Sequence, residues 1–222
     1  MFGDARDETK RSEARRLAGE LRRIIERLTV VDAPAELLAQ AADAAANFAD
    51  TLDTMLPPDR RSAYEGYAET AIAGSTMAFF DRSPFIGLAN PLAAPITLEA
   101  RGEGDDRWVE GRGIFHAAYE GPPGNLHGGF VAAAFDEVLG FAQSLSGTVG
   151  MTGTLTVRYR SPTPLYQELR FRAQVDGVEG RKIFTSGTCH AGDRLTAEAE
   201  AIFVSVDFSK IKDLLAGRER RA

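Results

Sequence analysis

The 222 residues include 32 acidic and 26 basic side chains, for a formal charge of −6, and 44% of them are hydrophobic. This composition suits a globular chain long enough to enclose a core. Its acidic balance argues against nucleic acid as a partner, because binding a phosphate backbone draws on clustered Lys and Arg. No apolar run approaches the ~20 residues that a membrane helix needs. The start, MFGDARDETKRSEARR, mixes both charges, unlike a secretory signal or a mitochondrial presequence. The single Cys189 fits a reducing compartment. The expectation is a cytoplasmic chain with no membrane partner. His116, His127 and His190 do not stand at metal-ligand spacing from one another or from Cys or Asp, so neither a metal nor a cofactor is expected.

Helices come first. Leu17, Leu21, Ile24, Ile25 and Leu28 recur at helical spacing and predict an amphipathic helix over about 8–29. Asp32 and Pro34 start a second helix, with Leu37, Leu38, Ala41, Ala45, Phe48 and Leu52 as its apolar stripe, and Pro57-Pro58 ends it. The pair reads as a helical hairpin. A DNA-binding helix-turn-helix is the sharper alternative, but residues 30–70 hold two basic residues against eight acidic ones, the reverse of what phosphates require. Residues 60–95 have no clear periodicity, and a missed element is expected there.

After residue 95 the period becomes two. ITLEARG and RWVEGRGIFHAAYEG predict two strands around the turn GEGDD, followed by the loop GPPGNLHGG and an apolar helix over 129–145. TGTLTVRYR, ELRFRAQVDG, KIFTSGTCHA and LTAEAEAIFVSV complete an antiparallel meander with one wet and one buried face. The 129–145 helix is apolar nearly all round and is the natural object for that sheet to wrap. The predicted class is α+β, a hotdog fold: an antiparallel sheet around a central helix, with an N-terminal helical hairpin. The expected divisions are 1–60 for the helical extension, 61–208 for the hotdog domain and 209–222 for a charged tail.

Chemistry concentrates on the central helix. Asp136 and Glu137 are its only charges, set among Ala132, Ala133, Ala134, Phe135, Val138 and Leu139. Asp is a poor helix former, and Asp136 lies too far inside the helix to cap it. Burying a carboxylate costs several kcal/mol unless it is paired, and function is a common reason for such a group. Adjacent helical side chains point ~100° apart, so the two acids do not share one task. Glu137 is read as structural. At the helix start, His127-Gly128-Gly129 leaves backbone N–H groups that an anion can approach closely, a candidate oxyanion hole. His127 either fixes the loop or shuttles a proton. Gly128 and Asp136 stand about 12 Å apart along the helix at 1.5 Å per residue. One carbonyl carbon cannot touch both in a single subunit, and a dimer with antiparallel central helices removes the difficulty.

GPPGNLHGGFVAAAFDEVLG, followed by GMTGTLTVRYRSPTPL and VEGRKIF, resembles the phenylacetate-pathway (PaaI-like) hotdog acyl-CoA thioesterases over roughly residues 80–206. It is closest to the branch that includes the vertebrate thioesterase-superfamily acyl-CoA hydrolases. The most specific element is HGG with an acid nine residues beyond His127. The resemblance implies Asp136 as general base or nucleophile, Gly128 as oxyanion donor, and Thr152 as the hydroxyl that orients the acid or its water. Some relatives place an Asn six residues before the histidine as a second donor. That position is Gly121 here, so the donor is missing or Asn125 replaces it. The resemblance also implies a homodimer or dimer of dimers with interfacial sites, and basic residues near the CoA phosphates. Arg158, Arg160, Arg181 and Lys182 are the candidates, with Gly129 beside the acyl carbonyl. A thiolate leaves without a strong general acid, its conjugate acid lying near the free thiol value of about 8.5, and no G-x-S-x-G motif is present. A non-catalytic acyl-CoA binder and a hotdog hydratase are the rival readings.

Overall fold

A computed structural model describes residues 5–55, 81–94, 96–148 and 150–205. The chain divides into two compact units, Met1–Ala93 and Ala94–Ala222. The expected boundary near residue 60 and the expected tail 209–222 lie outside the described residues.

The first unit holds α1 (Ala5–Val30) and α2 (Ala35–Asp53). The segment after residue 80, which lacked periodicity, is a series of turns anchored to α1 by charge. Asp81 is buried and accepts from both Arg15 Nε and Arg15 Nη2 at 2.9 Å, with Arg11 Nε 3.2 Å away. Two guanidiniums supply the partners that a buried carboxylate needs. Arg22 adds bonds to the Asn90 and Leu88 carbonyls. Both expected helices are present, but no residue of α2 is buried.

The second unit is one antiparallel sheet and one long helix. The strands are β1 (Thr97–Arg101), β2 (Trp108–Ile114), β3 (Gly150–Tyr159), β4 (Glu168–Glu179), β5 (Lys182–Ala191) and β6 (Arg194–Ser205). Their spatial order is β1-β2-β4-β5-β6-β3, which leaves β1 and β3 at the edges. The long helix, α3 (Gly128–Gln143), lies on one face. The second strand is shorter than expected: after Ile114 the chain tucks Phe115 inside and turns through a 3-10 turn at Ala117–Tyr119.

A row of small side chains across the sheet lets α3 sit close. Val109, Ala173, Gly187, Ala199 and Val157 are successive cross-strand neighbours. A β-carbon on Gly187 would stand 3.3 Å from Leu139 Cδ2 on α3 and 2.8 Å from the Arg172 carbonyl, so the middle of the row has no room for a side chain. Phe135 packs edge-on against Phe171 at 5.5 Å. With Val131, Val138, Leu139 and Ala142 it forms the core, each large side chain contributing about 1.5–3 kcal/mol on burial. The helix is not enclosed all round as its composition suggests. Val131, Ala134, Phe135, Val138, Leu139 and Ala142 face the sheet, whereas Ala132, Ala133, Asp136, Glu137 and Gly140 form a half-open stripe. The alanines on that stripe read as core in the sequence, although nothing among the described residues fully covers them.

Cys189 lies in the core, and burial pushes its thiol up to about 11. A thiolate is the nucleophile in alkylation. The folded protein should therefore resist iodoacetamide at pH 8 for hours, while the chain in denaturant takes up one equivalent, read by intact mass. Rapid labelling of the native protein would contradict the packing of β4, β5 and β6 described here. Below about pH 9 this group does not affect stability. Above it the unfolded chain ionises first, and stability falls until the folded thiol also titrates.

Candidate active site

The site begins with the loop before α3. Gly121 N–H donates to the Asn125 carbonyl, His127 N–H to that of Tyr119 and Leu126 N–H to that of Thr163. A β-carbon at Gly121 would lie 2.8 Å from His127 Cα, so a larger residue there would displace the histidine backbone. Asn125 spends its side-chain amide on the Pro123 carbonyl at 2.9 Å and braces the loop.

His127 is the N-cap of α3. Its Nδ1 accepts from Gly129 N–H at 3.0 Å, which requires the lone pair on Nδ1 and places the ring proton on Nε2. The cap therefore occupies the Gly129 N–H and distinguishes the two glycines. Gly128 N–H, the first of the helix, has no intrahelical acceptor, and among the described residues no hydrogen bond takes it. The Gly128 carbonyl accepts from Tyr159 Oη at 2.8 Å, and the tyrosine ring lies against the glycine. The Gly128–Gly129 peptide is thus held at both ends, by Tyr159 and by His127, while the N–H of the preceding peptide, that of Gly128, is left at the helix start, where the dipole favours negative charge.

Two turns further on, Thr152 Oγ1 donates to Asp136 Oδ1 at 2.8 Å. This contact depends on an irregularity in β3. Thr154, Thr156 and Arg158 pair with Ile202, Glu200 and Glu198, while Leu155, Val157 and Tyr159 pair with Ala201, Ala199 and Ala197 on the helix side. Strict alternation would put Thr152 with Thr154, on the wet face. The register shifts between Thr152 and Thr154, and Thr152 pairs with the buried Phe203. Gly153 is the extra residue, and the bulge turns the threonine toward α3, a recurrent use of bulges beside functional sites. A glutamine at the helix end completes the frame. Gln143, buried at the helix end, donates to the Gly150 carbonyl and accepts from its N–H, both at 2.9 Å. Asp136 is half-buried on the open stripe of α3, and its second oxygen, Oδ2, has no hydrogen-bond donor among the described residues.

Asp136, Thr152, His127 and Gly128 thus share one helix and its fastening strand, whereas the expected phosphate ligands lie elsewhere. Arg158 and Arg160 are on the sheet face away from α3, ion-paired with Glu200 at 2.7 Å and with Glu198 at 2.6 Å. Together with Arg172, Ser186 and Thr188 they line a cavity of about 450 Å³ that does not reach Asp136. Arg181 donates to the Ser205 carbonyl at 3.0 Å, and Lys182 is exposed at the start of β5. Tyr159 and Gln143 escaped the sequence reading as site residues. The first was legible only as an inward position and the second only as the last turn of a helix. Among the described residues no cluster of His, Cys, Asp and Glu could hold a metal, and no helix is long and apolar enough to cross a membrane.

Residues 123–198 match the model of the thioesterase superfamily, a span that contains the loop, α3, β3 and Asp136. The chain is 42% identical over 90 residues to acyl-coenzyme A thioesterase THEM4 of Xenopus laevis, and 37% identical over 93 residues to that of Mus musculus. These alignments cover 39% and 41% of this chain and 40% of each relative, so the chain matches less than half the length of those proteins. A solved thioesterase superfamily protein, RHA08564, superposes with a TM-score of 0.73 at 30% identity, covering 86% of this chain and 94% of that one. With a hotdog sheet around α3 and a near full-length relative of this kind, the chain belongs to the thioesterase superfamily.

Proposed function

We propose that the protein hydrolyses an acyl-CoA thioester to the free acid and CoA, with Asp136 as its carboxylate, at a site shared by two copies of the chain. The observation that carries this reading is the Thr152–Asp136 hydrogen bond. The hydroxyl occupies Oδ1 and fixes the rotamer, leaving Oδ2 to accept from a water. That water attacks the thioester carbon and gives its proton to Asp136. Gly128 N–H of the other copy binds the oxyanion. The C–S bond then breaks, the thiolate departs with the electron pair, and the proton held by Asp136 goes to the sulfur. The THEM4 relatives are named as acyl-coenzyme A thioesterases, and the motif resembles the phenylacetate-pathway group within the superfamily.

Two features support a homodimer. Gly128 and Asp136 are separated by about 12 Å of helix, so one carbonyl needs donors from two chains. β3 is an edge strand of ten residues with Met151 58% and Tyr159 56% exposed, and a long uncovered edge is a template for pairing with another chain. Arg181 and Lys182, at the β4–β5 turn, remain the candidates for the CoA phosphates, since Glu198 and Glu200 already neutralise Arg160 and Arg158. The single buried cysteine supports a cytoplasmic setting. Gly121 is the observation that favours the rival reading, a binder without turnover, because the loop has no room for a second oxyanion donor at that position.

A thiol-release assay over a panel of acyl-CoAs separates the two readings. Asp136→Asn should lower kcat by about 100-fold or more, the usual weight of a general base, while the assembly stays folded. Undiminished turnover in that variant, or acyl-CoA binding by the wild type without CoA release, would sink the proposal. Thr152→Val should cost roughly 10- to 100-fold, as expected for a hydrogen bond to a charged group worth about 1.5–3 kcal/mol.

A further inference from the structure

In the first unit, α2 is a 19-residue helix with an apolar stripe and no buried residue. Helical stability in proteins comes mostly from packing such a face, and α1 of the same chain does not supply that packing. The stripe has a seven-residue period: Leu38, Ala41, Ala45, Phe48 and Leu52 occupy alternate three- and four-residue steps, which Met55 continues in the turn after the helix. That is the seam of a coiled coil rather than the broader face of a core helix. α1 and the residue after it carry a second seam of the same period, Leu17, Leu21, Ile24, Leu28 and Val31, with Ile24 57% and Leu28 65% exposed. The opposite side of α1 is already taken up by Ala18, Arg15 and Arg22 with the 81–90 segment.

We infer that these seams pair between two copies of the chain, α1 of each lying antiparallel on α2 of the other about a two-fold axis near Pro34. Three properties single out a second copy as the occupant. The helices are oppositely charged: α2 bears Glu36, Asp43, Asp50 and Asp53 and no basic residue, while α1 has eight Lys and Arg against five Asp and Glu. The acids lie on the far side of α2 from its seam, so the attraction is between whole helices and weakens with salt. The sizes also match. In antiparallel register Leu28 falls opposite Ala41, Ile24 opposite Ala45 and Leu21 opposite Phe48, and one two-fold operation satisfies every pair. An isologous contact requires that each surface be its own complement. Finally, alanines at 42, 44 and 49 flank the α2 seam and allow the partner helix to approach closely. This contact is separate from the β3 edge and does not rest on the thioesterase reading.

The test is a disulfide trap in the full chain. Ile24→Cys with Ala45→Cys, oxidised at micromolar concentration, should give a covalent dimer as the main product on a non-reducing gel. The buried Cys189 does not compete. Ile24→Cys with Asp43→Cys, which moves one thiol off the seam, should cross-link at least tenfold less. Adding Phe48→Glu to the first pair should abolish the dimer band and reduce far-UV helicity. A monomer-mass product with an internal disulfide would mean that α1 and α2 close on each other within one chain. Free thiols after oxidation, or equal cross-linking of the off-seam control, would overturn the pairing as well.

Discussion

The site depends on the fastening of an edge strand to the central helix. Three contacts run antiparallel along the pair: Tyr159 to the Gly128 carbonyl, Thr152 to Asp136, and Gln143 to both backbone groups of Gly150. The first and last hold the ends of α3, and the middle one holds the carboxylate. A hydrogen bond between partly buried groups contributes only about 0.5–1.5 kcal/mol of net stability. Their value here is positional, because a functional side chain needs its own rotamer held by neighbours. Tyr159 relies on ordinary alternation in β3, and Gln143 meets backbone groups and needs none. The third, at Thr152, is reached only because Gly153 breaks it.

In the proposed enzyme the same strand links catalysis to assembly. β3 presents its helix-side residues to the site and its free edge to solvent, so a second chain pairing there would place its own α3 beside the first. Asp136 and Ala132, on the open stripe of α3, would then be covered by the partner. A half-buried carboxylate in a lone protomer would sit in a less polar setting, where hydrogen bonds and charges act more strongly. On the proposed reading the protomer has a complete acid and a complete oxyanion donor, but no single place where one carbon meets both.

Much of the fold could be read from the sequence because periodicity records burial. Leu169, Phe171 and Ala173 alternate with arginines and glutamine, and each of the three faces α3. Asp136 stood out because a carboxylate amid alanines on a helix is costly without a purpose. Gly128 and His127 were legible as a helix start, but their division of labour was not. Which N–H the imidazole caps depends on a side-chain rotamer, which sequence spacing does not specify. Thr152 followed from resemblance, whereas its own position in the strand pointed to the wrong face, since a bulge adds one residue with no signal beyond a glycine. The ion pairing of Arg158 and Arg160 was not legible, for a physical reason. On a polar sheet face a basic residue and its cross-strand acid look independent in the sequence, and Glu198 and Glu200 lie about 40 positions from Arg158 and Arg160. The turn-rich segment after residue 80 was unreadable because its order comes from Asp81 meeting two arginines of α1, a long-range ion pair with no period at all.

The economy of the site matches the chemistry proposed for it. An ester or amide needs help expelling an alkoxide or amine, so hydrolases acting on them supply a general acid as well as a base. A thiolate is a far better leaving group, and the acid can be omitted. What remains necessary is a base held still, a donor aimed at the developing oxyanion, and a geometry that brings them to one carbon. In the proposed mechanism Asp136 and Thr152 meet the first need and Gly128 the second, its N–H left open because His127 caps Gly129 instead. A cap on Gly128 would close the oxyanion site, and no cap at all would leave the helix start under-satisfied. Nδ1 of His127 reaching one residue past the first glycine meets both demands, which gives His127 a structural reason to precede two glycines.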